Sequence, residues 1–247
     1  MKLKHLILFL AVVVAGCSTR RDVPGVEGAG DGPCVELCGI DSLMWRRPDS
    51  ALMVMQGFAG SPEADSLGVI EILKQMGADL TVENERIAGG EPIADIRIKG
   101  SRTLKGIHMP EDQVPLAIDE FPSLFIAAAC AEGQTILTGA AELRVKESDR
   151  IQVMADGLKT MGIDCTPTED GIIIEGKGKS GDWSAIFNGG EIESHHDHRI
   201  AMSFAMAGLR TSGEIKIVGT ETVATSFPTF TALTEQAGLK IQVSELA

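Results

Sequence analysis

The chain has 247 residues, enough for one or two domains with a sizeable core. A formal charge of −13 excludes a general nucleic-acid-binding surface, so its clustered cations read as local sites. Aromatic residues make up 4%, tyrosine is absent and glycine occurs 28 times, which fits a turn-rich α/β protein better than a β-sandwich.

The first twenty residues differ from everything that follows. Lys2 and Lys4 form a basic start, and residues 6–14 are an apolar run too short to span a bilayer. Val14-Ala-Gly-Cys17 has the form of a bacterial lipobox, so residues 1–20 are expected to be a lipoprotein-like leader with Cys17 as the lipidation candidate. The competing reading is an apolar start to a cytosolic strand. Residues 21–50 carry glycine, proline and charge without periodicity, as a linker or a foreign segment would. The five cysteines, at 17, 34, 38, 130 and 165, form neither a zinc pattern nor an even disulfide framework. Cys130 and Cys165 lie in apolar patterns and are expected to be core thiols.

From residue 51 onward the chain repeats itself. Gly57, Gly139 and Gly219 each end a short apolar strand, expected over 53–55, 135–138 and 215–218, and they are 82 and 80 residues apart. Each glycine precedes a polar stretch, an amphipathic helix, another glycine and another strand. The middle helix places Ile151, Met154, Leu158 and Met161 on one face. Two copies also carry an upstream helix, opening at Asp119 and at Asp197. Further strands are expected over 96–98 and 172–175. The expected fold is α/β, built from stacked helix–strand units, with the first unit short of its opening strand and helix.

The run 142–151 joins a strand to a helix. Lys146 and Arg150 are four apart and Glu147 and Arg150 three apart, so all are expected to share one side of the first turn. A helix start already presents unpaired N–H groups and a positive dipole end, and two added cations would make an anion site. A carboxylate beside them would move a proton to or from the bound anion. The plainer alternative is an ordinary helix start, with Ser148 and Asp149 as caps and the charges in water.

Four stretches carry a resemblance: Arg144-Val-Lys-Glu-Ser-Asp-Arg150, His196-Asp-His-Arg-Ile-Ala-Met202, Leu104-Lys-Gly-Ile107 and Ala224-Thr-Ser-Phe-Pro228. They resemble the 3-phosphoshikimate 1-carboxyvinyltransferases, or EPSP synthases, over about residues 51–247, the family's C-terminal lobe. The resemblance implies repeated βαβαββ units forming one lobe of the enolpyruvyl transferase fold, with substrates in a cleft between two lobes. It implies transfer of the enolpyruvyl group of phosphoenolpyruvate to the 5-hydroxyl of shikimate 3-phosphate, in the cytoplasm and without a cofactor or metal. By position, Asp119 matches the carboxylate that acts as base on the sugar hydroxyl, and Lys146 and Glu147 match the proton-handling pair. Arg150 and Arg199 match the guanidinium groups that hold phosphoenolpyruvate. His198 is either an assisting group or a helix-start residue that orients its neighbours.

Two departures accompany the resemblance. Thr225 stands where many members have lysine. The family's early Gly-Ser-Lys-Ser and Asn-Ala-Gly-Thr segments have no counterpart, so the resemblance leaves half of the site to be supplied from elsewhere, a separate chain being one source. A sister transferase acting on UDP-N-acetylglucosamine would share the fold, but the two charged runs favour the shikimate branch. A non-catalytic exported lipoprotein or anion-binding remnant of the lobe is the alternative of another class, and a mis-joined reading frame a third. A final expectation is geometric: the helix starts at Asp119, Arg150 and Arg199 should converge at one end of the lobe.

Overall fold

The computed structural model describes residues 52–59, 67–88, 91–99, 104–179, 185–236 and 239–244. The leader expected over 1–20 with Cys17, and the linker or foreign segment expected over 21–50 with Cys34 and Cys38, lie outside the described residues.

Three antiparallel strands open the described chain, β1 (Leu52–Ala59), β2 (Asp79–Ala88) and β3 (Glu91–Lys99), in the order β1-β3-β2. Sequence reasoning ended the first strand at Gly57, but β1 runs through it with a register shift between Met55 and Phe58. A glycine inside a strand marks a bulge as readily as an end. Between β1 and β2 the helix α1 (Leu67–Gln75) buries Val69, Ile70, Ile72 and Leu73. Gly77, at φ 92, then turns the chain out of the helix in a conformation that disfavours any residue with a Cβ.

The segment 104–109 runs parallel to β4 (Glu132–Leu137). Gly106 N donates to Glu132 O at 2.8 Å, Glu132 N to Leu104 O at 2.8 Å, and Ile136 N to Ile107 O at 2.9 Å. Helical turns over 111–120 and the helix α2 (Phe121–Ala129) connect the two. All nine residues of α2 are buried, as a helix that is apolar on every side requires. β4 begins three residues before its expected start. Glu132, Gly133 and Gln134 are polar or small and exposed, so apolar periodicity passes over them.

The helix α3 (Arg150–Thr160) follows β4, and β5 (Cys165–Pro167) and β6 (Ile172–Lys177) return to give an antiparallel sheet in the order β4-β6-β5. Next, β7 (Gly190–Glu193) and β8 (Ile215–Val218) pair in parallel, joined through α4 (His198–Ala207). The helices α5 (Glu221–Ser226) and α6 (Phe230–Gln236) complete the described chain.

α2 and α4 pack side by side, and the Ser123 and Ser203 hydroxyls meet at 3.0 Å in the core although 80 residues separate them. α3 packs across α4, with Phe204 filling the space above Gly157. Ile151, Met154, Leu158 and Met161 are all fully buried, the face expected of α3. Cys130 and Cys165 are buried free thiols, and burial pushes them up to about 12 and about 11. Among the described residues, no helix is long and apolar enough to cross a membrane and no group of residues could hold a metal ion.

Candidate active site

Three helix starts meet at one end of the α2–α3–α4 layer. Asp119 stands in the turn that leads into α2, with the buried Glu120 next to it. α3 starts with Arg150 and is capped by Asp149, whose carboxylate accepts from Gln152 N at 3.0 Å. α4 is capped by Asp197, which accepts from Arg199 N at 2.9 Å. The turn before Asp197 takes His195 and His196 through left-handed φ values of 53 and 60, uncommon for residues with side chains. Thr222 Oγ1 holds that turn by donating to His196 O at 2.8 Å.

Arg150 is the hub. Its Nε donates to Asp197 Oδ2 at 2.8 Å, its Nη1 to Asp119 Oδ1 at 3.0 Å, and its Nη2 to Glu147 Oε2. The guanidinium is fully buried, which only a group so completely paired tolerates. Burial pushes the Arg150 pKa down, but the hydrogen bond and charge of Asp197, then Glu147 and Asp119, outweigh it and hold the group above its ordinary value. Asp197 is the mirror case. Burial raises it, yet the hydrogen bond and charge of Arg150, the Arg199 N–H and the Ser148 hydroxyl at 3.0 Å keep its carboxyl below the usual range.

Arg199, in the first turn of α4, reaches the turn that precedes α2. Its Nη1 donates to Asp119 O at 2.9 Å and its Nη2 to Asp119 Oδ2 at 3.1 Å, with Glu120 Oε1 3.7 Å from Nη1. One carboxylate therefore separates two guanidinium groups, Oδ1 facing Arg150 and Oδ2 facing Arg199. Burial pushes Arg199 below its ordinary value, against the pull of Glu120 and Asp119. Lys146 Nζ lies 3.9 Å from Asp119 Oδ1 and pairs with Glu142. His198 is half-buried. Burial and then the Arg199 charge push its imidazole below the usual value, while Asp197 and Glu147 pull the other way.

The structure thus brings Asp119, Lys146, Glu147, Arg150, His198 and Arg199 into one neighbourhood, with two corrections. Lys146 and Glu147 precede the helix rather than sharing its first turn, because Asp149 caps α3 and Arg150 is its first residue. Arg150 is also no open cation, since three carboxylates enclose it. Sequence reasoning gives no site role to Asp197, Ser148, Glu120 and Arg144. Arg144 fixes the approach to α3 by donating to Glu169 O at 2.8 Å and pairing with Asp149 at 2.6 Å. Asp197 is legible as the opening of a helix, but not as the carboxylate that holds Arg150.

Chemically, the cluster offers cations that would hold an anion and carboxylates that would exchange protons, at helix N-termini whose dipoles favour negative charge. Comparison with known proteins follows the same line. The EPSP synthase (3-phosphoshikimate 1-carboxyvinyltransferase) family pattern matches residues 53–233. The 3-phosphoshikimate 1-carboxyvinyltransferase of Methylococcus capsulatus is 54% identical over 206 residues, 79% of this chain and 45% of the relative. That of Acidithiobacillus ferrooxidans is 55% identical over 234 residues, 89% of this chain and 52% of the relative. The solved EPSP synthase of Acinetobacter baumannii superposes with a TM-score of 0.81 at 68% identity, covering 98% of this chain and 47% of that one. The enolpyruvyl transferase NikO of Streptomyces tendae, at 14% identity and a TM-score of 0.57, shares the α/β fold. This chain spans about half the length of the relatives it matches.

Proposed function

The chain belongs to the EPSP synthase family, and from that premise we propose that the Arg150 cluster is one wall of an enolpyruvyl-transfer site for phosphoenolpyruvate and shikimate 3-phosphate. The observation that carries the proposal is the double bridge at Asp119, one carboxylate oxygen on Arg150 and the other on Arg199. It brings two planar donor forks to one carboxylate, and such forks are the groups that pair with carboxylate and phosphate anions.

In the proposed reaction the 5-hydroxyl oxygen bonds to C2 of phosphoenolpyruvate. Asp119 takes the hydroxyl proton and C3 gains a proton from the Lys146–Glu147 pair. The reverse proton movement at C3 then expels inorganic phosphate and restores the double bond. Lys146, close to both Asp119 and Glu142, has the placement of a proton carrier. Arg150 and Arg199 hold the reacting anion, and His198 sits beside them.

The same reading covers the layout. Segment 104–109, α2, β4, α3, β5 and β6 follow a βαβαββ order, β1, α1, β2 and β3 match the last four elements of such a unit, and β7, α4 and β8 open another. Since the chain spans about half of its relatives, the opposite wall of the cleft is expected from their other half, in the same protein or in a separate chain. Phosphate release from both substrates, measured with and without the N-terminal half of a relative, tests this. Turnover that needs that half and is lost in Glu147→Ala supports the proposal. Absence of turnover in the mixture, with both pieces folded, overturns it. Fatty-acid labelling lost in Cys17→Ser would support the lipoprotein reading, and an unlabelled chain that keeps its N-terminus in the cytoplasm would remove it.

A further inference from the structure

We propose that Glu147 is a gate on Arg150, occupying the guanidinium until an arriving anion displaces it and so releases its carboxylate into the site. The inference rests on reading the cluster as an anion site, and it adds an order of events: the anion must arrive before Glu147 is free.

Charge favours a gate. Lys146, Arg150 and Arg199 meet Asp119, Glu120, Glu147 and Asp197, with Glu142 at the rim. Carboxylates already outnumber cations, so withdrawal of one carboxylate relieves the repulsion that a further anion meets there.

Exposure and partners decide which one. Asp197 is fully buried and takes Arg150 Nε, the Ser148 hydroxyl and the Arg199 N–H, so its removal would strand all three. Asp119 is 30% exposed and shared by both arginines, with Lys146 nearby. Glu147 is 54% exposed and, among the described residues, is held by Arg150. It precedes α3 and so sits on no helical backbone that would fix its position. Rotation of Glu147 into water uncovers Arg150 Nη2 while Nε and Nη1 keep their partners. The uncovered N–H groups face the side from which Glu147 left, and an anion arriving from there meets this guanidinium while Asp197 and Asp119 keep their bonds to it.

Inorganic phosphate, titrated calorimetrically into the full chain, is the probe. Glu147→Gln keeps an acceptor for Nη2 and so preserves the fold, but it removes the competing charge. Glu142→Gln removes the same charge from Lys146 at the rim and serves as the control. The gate predicts that Glu147→Gln binds phosphate roughly two- to five-fold more tightly than wild type, the range of a half-exposed ion pair, and that Glu142→Gln changes it less. Equal tightening in both variants marks a general charge effect and overturns the gate. Unchanged or weaker binding in Glu147→Gln overturns it also, while phosphate binding itself leaves the anion-site reading standing. Phosphate bound by none of the three proteins overturns that reading, and the gate with it.

Discussion

Replacing Arg150 by methionine keeps most of the packing of the side chain and removes its charge, which isolates what the hub contributes. Its three partners are unequal. Glu147 is half-exposed, so its pair contributes at most about 1 kcal/mol. Asp119 keeps Arg199 after the substitution. Asp197 is fully buried and is left with a serine hydroxyl and a backbone N–H. Removing one partner of a buried pair costs about 3–5 kcal/mol. Against a folding free energy of about 5–15 kcal/mol this is a large share. Urea unfolding of the full chain at pH 7 should show the midpoint falling by about 1 M or more.

The pH dependence supplies the sharper check. In the native protein the Asp197 pKa lies below its ordinary 3.8, so its contribution is full above that pH and is lost as pH falls through the folded value. Without Arg150, burial, already the largest single influence, is no longer outweighed and raises the pKa. Protonation then favours the folded state as pH falls, and the gap between Arg150→Met and wild type should narrow from pH 7 toward pH 4. A loss below about 1 kcal/mol, or a gap that widens on acidification, would refute Asp197 as the buried partner that matters.

Ser123→Ala should leave the Ser203 hydroxyl without its partner and cost about 1–3 kcal/mol in thermal unfolding, whereas Ser123→Ala with Ser203→Ala should cost less than the sum of the single changes. Gly157→Ala would place a Cβ 2.2 Å from Phe204 Cζ, so it should destabilise by about 1–3 kcal/mol despite the helical preference of alanine, with partial recovery on adding Phe204→Leu. The buried thiols, with pKa values pushed to about 12 and about 11, should resist alkylation at pH 8. Mass mapping should find Cys130 and Cys165 unlabelled in the native chain and labelled after denaturation, and native labelling would contradict their burial.

Most helices of this chain were legible because local rules agree there, whereas α5 (Glu221–Ser226) lies where the pattern gave only a polar stretch. Asp149 and Asp197 each stand one or two polar residues ahead of an apolar run of helical period, and each is a cap with its side chain on a backbone N–H. Strand edges were less legible. Gly57 carried the signal of a strand end and lies inside β1, and the exposed start of β4 has no apolar alternation. Arg150 marks a different limit. Its partners Asp119 and Asp197 are 31 and 47 residues away, and pattern alone assigns an arginine beside polar neighbours to the surface. Asp119 read by itself only as a helix start, and the resemblance was what singled it out.

A site for a multiply charged anion must solve two opposed problems, and the arrangement around Arg150, read as the proposed anion site, addresses both. Empty, adjacent cations repel one another and the helix ends that carry them, so the site needs resident carboxylates to fold. Occupied, those carboxylates repel the ligand. A uniform shell of buried acids would give a stable protein that binds nothing, and a uniform shell of exposed acids would leave the arginines unpaired and mobile. Here the carboxylates are graded, with Asp197 fully buried, Glu120 3% exposed, Asp119 30% exposed and Glu147 54% exposed. In the proposed site the inner three fix the directions of Arg150 and Arg199, and the outer one yields. That gradient places the structural demand on the residues closest to the core and leaves the carboxylate resembling a proton-transfer group as the one with room to move.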